Sequence, residues 1–143
     1  LETYRKEFPG DSRAADVAFQ LADLDEAAGN LKEAAAGFEQ TLASQPRKEL
    51  KTEAGFRLGR LRERLGDADG ALAAYKGAVE AGERDDAYRL SAVARCAAMY
   101  ELRREYTRAV AAYRDIIKNA GDQELVAVAT DRVSQLEKKT GKR

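Results

Sequence analysis

The sequence predicts an all-α protein built as a solenoid of antiparallel helix pairs, and three observations carry this prediction. Charged residues make up 35% of the chain and prolines number only two, a composition that favours helices. The β-branched residues are sparse and form no alternating run, so no strand is predicted. Proline and glycine, which commonly end helices, recur at regular spacing. Pro9 and Pro46 are 37 residues apart, as are Gly29 and Gly66, and Gly141 follows Gly66 by 75 residues. A period of this size is typical of stacked helical repeats.

Composition excludes several classes of function. The 143 residues carry 25 Lys and Arg against 25 Asp and Glu, and a net charge of zero gives no general attraction to nucleic acid or to an anionic membrane. The absence of His excludes every His-based catalytic or zinc site, and a single Cys excludes an internal disulfide. With no phosphate loop, nucleophile–base set or metal cluster, we expect no enzyme activity, no cofactor and no metal.

No apolar run approaches the roughly 20 residues that a membrane-spanning helix needs. No signal peptide is present in these residues either. Because the first residue is Leu1 rather than Met, we expect the chain to be a processed or excised fragment.

Each period contains the same core pattern. A pair of core residues, the second of them small, is followed by Ala 13 residues after its first member and by an aromatic 4 residues later. The pattern occurs as Leu21-Ala22, Ala34 and Phe38; as Leu58-Gly59, Ala71 and Tyr75; and as Cys96-Ala97, Ala109 and Tyr113. It resembles the tetratricopeptide repeat (TPR) over essentially the whole chain. The resemblance implies a right-handed α-solenoid, although no Trp opens the repeats and the period is 37–38 residues instead of about 34.

The small residues of the pattern have a physical explanation. Ala22, Gly59 and Ala97 let the two helices of a pair approach closely, and the aromatics fill the space toward the next repeat. Cys96 stands where the other repeats have Leu, so we expect a buried small hydrophobe and not a nucleophile. The longer period is accommodated by a longer first helix, for example from Lys48 to Leu65.

The turns between paired helices carry their own signals. Gly29 and Gly66 are predicted to end the first helix of each pair in the left-handed conformation. Asn30 and Asp67 are predicted to cap the second helix, with Asn30 and Glu33 forming a capping-box-like pair.

The repeat register divides the chain into a central array and two partial repeats. Residues 1–10 are predicted to be the C-terminal half of a preceding repeat, and residues 11–46, 47–84 and 85–121 to be three full repeats. Residues 122–143 are predicted to be either the first helix of a fourth repeat or a capping helix, and the register leaves both open.

In such an array the first helices of the repeats line the concave side, where we expect a partner to bind. The groove positions are those that lie outside the core and face away from the second helix. The resulting candidate site consists of Phe19, Gln20, Asp23, Phe56, Arg57, Arg60, Arg64 and Arg95. Phe19 and Phe56 stand at equivalent positions, which predicts that the two rings are neighbours, and Arg57, Arg60 and Arg64 share one helical face.

Two interpretations are open for the aromatic and for the basic residues of this site. The Phe rings either bury against neighbouring helices or form part of the groove surface. The Arg side chains either pair with the first repeat or bind a carboxylate of a partner. Residues 11–40 hold seven acids and two bases, whereas residues 47–64 hold seven bases and three acids. We therefore expect some Arg to pair internally and the others to be left for an acidic peptide segment.

The sequence favours a non-catalytic scaffold that holds a segment of a partner protein in the groove. The alternatives are a cytoplasmic adaptor and a module that forms homo-oligomers through its end repeats. No basic face runs through all repeats, which argues against RNA binding. Chaperone-binding TPR domains hold a terminal carboxylate with Lys and Asn, and Phe19 and Asp23 at the corresponding positions argue against that subtype.

The segment from Tyr4 to Ser12 joins an aromatic–Pro pair to small polar residues and a long helix. It resembles TPR junctions in bacterial cell-envelope proteins, such as the periplasmic coordinator of the Tol–Pal system and the lipoprotein of the β-barrel assembly machine. The resemblance implies a periplasmic or outer-membrane-associated adaptor, while cytoplasmic arrays share the same features.

Overall fold

Seven α-helices and no strand occur in residues 12–141, which are the residues that the structure, a computed structural model, describes. The prediction for residues 1–10 lies outside this range, and the division into repeats stays a prediction. The helices are α1 (Ser12–Ala27), α2 (Leu31–Ala43), α3 (Lys48–Arg64), α4 (Ala68–Ala81), α5 (Ala87–Leu102), α6 (Tyr106–Asn119) and α7 (Gln123–Lys139).

The helices fall into two compact units that divide after Gly82. In the first unit α1 packs on α2, α2 on α3, and α3 on α4. In the second unit α6 packs against both α5 and α7. Each unit is therefore a short stack of helices that follow one another in the chain.

The core of the first unit is organised around the aromatic residues of the second helices. Phe38 of α2 is fully buried in one cluster with Ala22 of α1 and with Ala54 and Leu58 of α3. Phe38 thus fills the space between successive helix pairs, as the sequence predicts. A Cβ atom added at Gly59 would lie 2.5 Å from the Tyr75 ring, so this position requires glycine for the close approach of α3 and α4.

The turns follow the prediction at the glycines and depart from it at one cap. Gly29 and Gly66 have φ angles of 85° and 84°, the left-handed conformation that ends α1 and α3. The Asp67 carboxylate accepts a hydrogen bond from the Gly70 amide at 2.9 Å, as predicted.

Asn30 is the N-cap residue of α2, as predicted, but its side chain makes no capping hydrogen bond, so the capping box with Glu33 is wrong. The backbone ψ angles of Asn30 and Asp67 are similar, 77° and 81°. The difference therefore lies in the side chain. The Asp67 carboxylate accepts a charge-assisted hydrogen bond at the positive end of its helix.

In the second unit, a polar contact joins all three helices. The hydroxyl of Tyr113 on α6 donates a hydrogen bond to Glu101 of α5 at 2.7 Å, and Arg132 of α7 donates to the same carboxylate. Burial raises the pKa of Tyr113 to about 12, so the phenol keeps its proton at neutral pH. Cys96, also on α5, is buried, as predicted.

The Glu101 contact makes the second unit sensitive to acid. Burial alone would raise the pKa of Glu101, but hydrogen bonds from Arg132 and Tyr113 outweigh it and hold the pKa below its ordinary value. A carboxyl of this kind contributes stability above its unfolded pKa, and the contribution is lost as pH falls through the folded pKa.

Urea unfolding at a series of pH values below about 6 should therefore show a shallower loss of stability for Glu101→Gln than for wild type. The control Glu124→Gln changes an exposed acid of α7 and should follow wild type; identical curves for all three proteins would contradict the role of Glu101.

Candidate functional site

Seven of the eight predicted site residues lie on α1 and α3 in the first unit. The side chains of Gln20, Asp23, Arg60 and Arg64 are exposed, and those of Phe19, Phe56 and Arg57 are partly buried. Arg95 lies on α5 in the second unit, where it is exposed.

Arg57 is the centre of the contacts between α1 and α3. Its Nη2 atom donates to Asp23 Oδ1 at 2.6 Å and to Glu26 Oε1 at 2.9 Å, and its Nη1 atom donates to Glu53 Oε2 at 3.4 Å. The guanidinium carbon lies 5.2 Å from the centre of the Phe19 ring and 4.8 Å from that of Phe38. Arg57 therefore combines ion pairs with cation–π contacts on the core of the first helix pair.

The environment of Arg57 favours its protonated form. Its side chain is only 16% exposed. Burial alone would lower the pKa of Arg57, but hydrogen bonds to Asp23 and Glu26 outweigh it, so the pKa lies above its ordinary value. The arrangement stabilises the junction of α1 and α3 and leaves Arg57 already paired before any partner binds.

The two Phe residues pack inward, each on the aromatic of its own helix pair. Phe19 meets Phe38 edge-on with the ring centres 5.4 Å apart, and Phe56 meets Tyr75 at 5.8 Å. Phe19 also packs against the buried cluster, which supports the core interpretation for this residue. These two ring contacts lie within the helix pairs, and the Phe19–Phe56 neighbourhood stays a prediction.

Arg60 and Arg64 form the accessible basic part of this face. Arg60 is 50% exposed, with its Nη2 atom 3.6 Å from Glu26 Oε2 and its guanidinium 5.6 Å from the centre of the Phe56 ring. Arg64 is exposed in the last turn of α3 and forms no ion pair with a residue in the range 12–141. The expected internal pairing is thus present for Arg57 and Arg60, and Arg64 is the basic residue that it leaves over.

Sequence reasoning missed Arg132. This residue lies 31 positions after Glu101, and Arg57 lies 31 positions after Glu26. In both cases the Arg reaches the Glu near the C-terminal end of the preceding first helix. The repeated Glu-to-Arg spacing was the available signal, and it lies outside the core pattern on which the register was based.

Other kinds of site find no support in the described residues. Between residues 12 and 141, no group of three or more Cys, Asp or Glu is placed to hold a metal ion. Over the same range, no helix is both long and apolar enough to cross a lipid bilayer.

A comparison with protein families gives one match, to the tetratricopeptide repeat over residues 53–81. These residues include most of α3 and all of α4, the helix pair that carries Arg57, Arg60 and Tyr75. The match supports the TPR family and, with the seven helices, confirms the predicted all-α helical-repeat fold class. A search of curated proteins found no match.

The geometry predicts different roles in stability for the neighbouring residues Arg57 and Arg60. Arg57→Ala removes the shared partner of three carboxylates and uncovers two rings, so we expect a loss of about 2 kcal/mol in the free energy of unfolding. Arg60→Ala removes a long, exposed pair and should cost less than about 1 kcal/mol. Urea unfolding of both variants measures the difference, and equal losses would contradict the assignment of Arg57 as a structural residue.

Proposed function

We propose that this chain is a scaffold that binds an acidic segment of a partner protein on the exposed face of α1 and α3. The TPR match suggests a protein–protein interaction scaffold, and TPR proteins are generally non-catalytic. The observation that carries the finer proposal is the placement of Arg60 and Arg64 one turn apart on α3, both exposed.

The charge of these two residues is poorly compensated within the unit. Arg60 shares Glu26 with Arg57, and Arg57 is the closer partner, at 2.9 Å against 3.6 Å. Arg64 has no carboxylate partner in the described part of the chain. Like charges four residues apart on a helix repel each other, so an added carboxylate would relieve a cost that the free protein bears.

The chemistry of Arg fits such a partner. The planar guanidinium donates two parallel hydrogen bonds to one carboxylate, which gives both energy and orientation. The partly buried Phe56 ring beneath Arg60 adds an apolar surface beside the charges. A segment with carboxylates spaced by about one helical turn would match this surface.

The role of this scaffold in the bacterial envelope is part of the same proposal. It is supported by the resemblance of the segment from Tyr4 to Ser12 to cell-envelope repeats. Fractionation of cells that express the full-length protein tests it, because recovery in the cytoplasm would contradict it.

Removal of the two exposed Arg side chains tests the binding face. A labelled peptide with a run of Glu should bind the double variant Arg60→Ala/Arg64→Ala at least about tenfold more weakly than wild type, because two charge-assisted contacts are lost. The matched control is Lys32→Ala/Lys76→Ala, which removes the same charge from exposed positions on α2 and α4. Titration calorimetry at low and high salt measures the affinities. Equal affinity of the double variant and wild type, or an equal loss in the control, would refute the proposed face.

A further inference from the structure

Asp23 occupies the position on Arg57 that a carboxylate of a partner would need. Its Oδ1 atom lies 2.6 Å from Arg57 Nη2, closer than Glu26 or Glu53, and its side chain is 57% exposed. Glu26 and Glu53 are 14% and 26% exposed. Asp23 is therefore the most solvent-accessible of the three acids that surround Arg57.

The contact with Asp23 is short, but it is the most exposed of the three ion pairs of Arg57. The two less exposed carboxylates already neutralise the guanidinium, and the Phe19 and Phe38 rings hold it in place. Exposed ion pairs contribute little to stability because water and salt screen them. Three carboxylates around one Arg also repel one another, so the cluster does not owe its stability to the third acid.

We propose that Asp23 is a specificity-determining residue that acts as a built-in competitor for acidic partners. The inference rests on the proposed function, because it concerns the same face of α1 and α3. A carboxylate tethered beside Arg57 has a high effective concentration, so a partner with a single carboxylate is outcompeted. A partner with several carboxylates first engages Arg60 and Arg64 and then displaces Asp23 from Arg57.

Neutralisation of Asp23 should release this competition. Asp23→Asn keeps the size of the side chain and removes its charge, which leaves Arg57 paired with Glu26 and Glu53. We expect the peptide with a run of Glu to bind several-fold more tightly, about three- to tenfold, and a peptide with a single Glu to gain at least as much. The preference for the more acidic peptide should therefore not increase and is expected to fall.

The matched control is Asp25→Asn, which makes the same charge change two residues further along α1. Two residues correspond to about 200° around a helix, so Asp25 points away from Arg57. Titration calorimetry of wild type and both variants with both peptides gives the affinities, and urea unfolding checks that Asp23→Asn unfolds at the same urea concentration as wild type.

Each outcome decides between the two proposals. If Asp23→Asn and Asp25→Asn bind alike, or if Asp23→Asn binds more weakly than wild type, Asp23 is not a competitor, whereas loss of binding in Arg60→Ala/Arg64→Ala would still support the binding face. If neither wild type nor Asp23→Asn binds the acidic peptide, the proposed function and the competitor role both fail. Binding by Asp23→Asn alone would support the competitor role of Asp23 and would contradict the proposal that the native face binds this acidic peptide.

Discussion

The junction between successive first helices depends on an Arg that reaches back to a Glu of the helix before it. Within the first unit this pair is Arg57 and Glu26, and within the second unit it is Arg132 and Glu101. Each charge of such a pair needs its partner, because a buried charge left unpaired is costly. The sequence also places Glu63 twelve residues before Tyr75, as Glu26 precedes Phe38 and Glu101 precedes Tyr113.

The aromatic residue 12 positions after each Glu adapts to this pair in two ways. Tyr75 and Tyr113 each donate their hydroxyl to the Glu, at 2.5 Å and 2.7 Å. Phe38 has no hydroxyl to offer to Glu26, and there Arg57 stacks on the ring and takes Asp23 and Glu53 as further partners. In the first unit the Arg therefore carries additional carboxylate contacts, whereas in the second unit the Glu also accepts the Tyr hydroxyl.

Much of the fold was predictable because backbone geometry and core volume leave few choices. The left-handed turns at Gly29 and Gly66 and the burial of Phe38 follow from the period and the residue types alone. The missing capping hydrogen bond of Asn30 could not be predicted in the same way. A polar side chain at a helix end can bond either to the backbone or to water, and the two differ little in free energy.

For the candidate site, the positions of the residues could be predicted from the sequence, but their contacts could not. The helical register placed Arg57 among the groove positions, but it gave no measure of how far the guanidinium reaches toward α1. Whether Arg57 binds a partner or its own chain depends on the distance between two helices that are remote in sequence. Such distances follow from the packing of the helices. The register therefore predicted which residues lie on the face, but not which of them pair with residues of the same chain.

The end of α1 explains why ion pairing with α1 stops before the last turn of α3. Arg57 and Arg60 lie level with Glu26, one residue before α1 ends at Ala27. Arg64 lies about 6 Å further along α3, at 1.5 Å per residue. At that level the preceding helix has already given way to the Gly29 turn, and no acid of α1 is left to meet it. α3 thus holds both an Arg that is paired with α1 and an exposed Arg in its last turn, because α1 ends close to the level of Glu26.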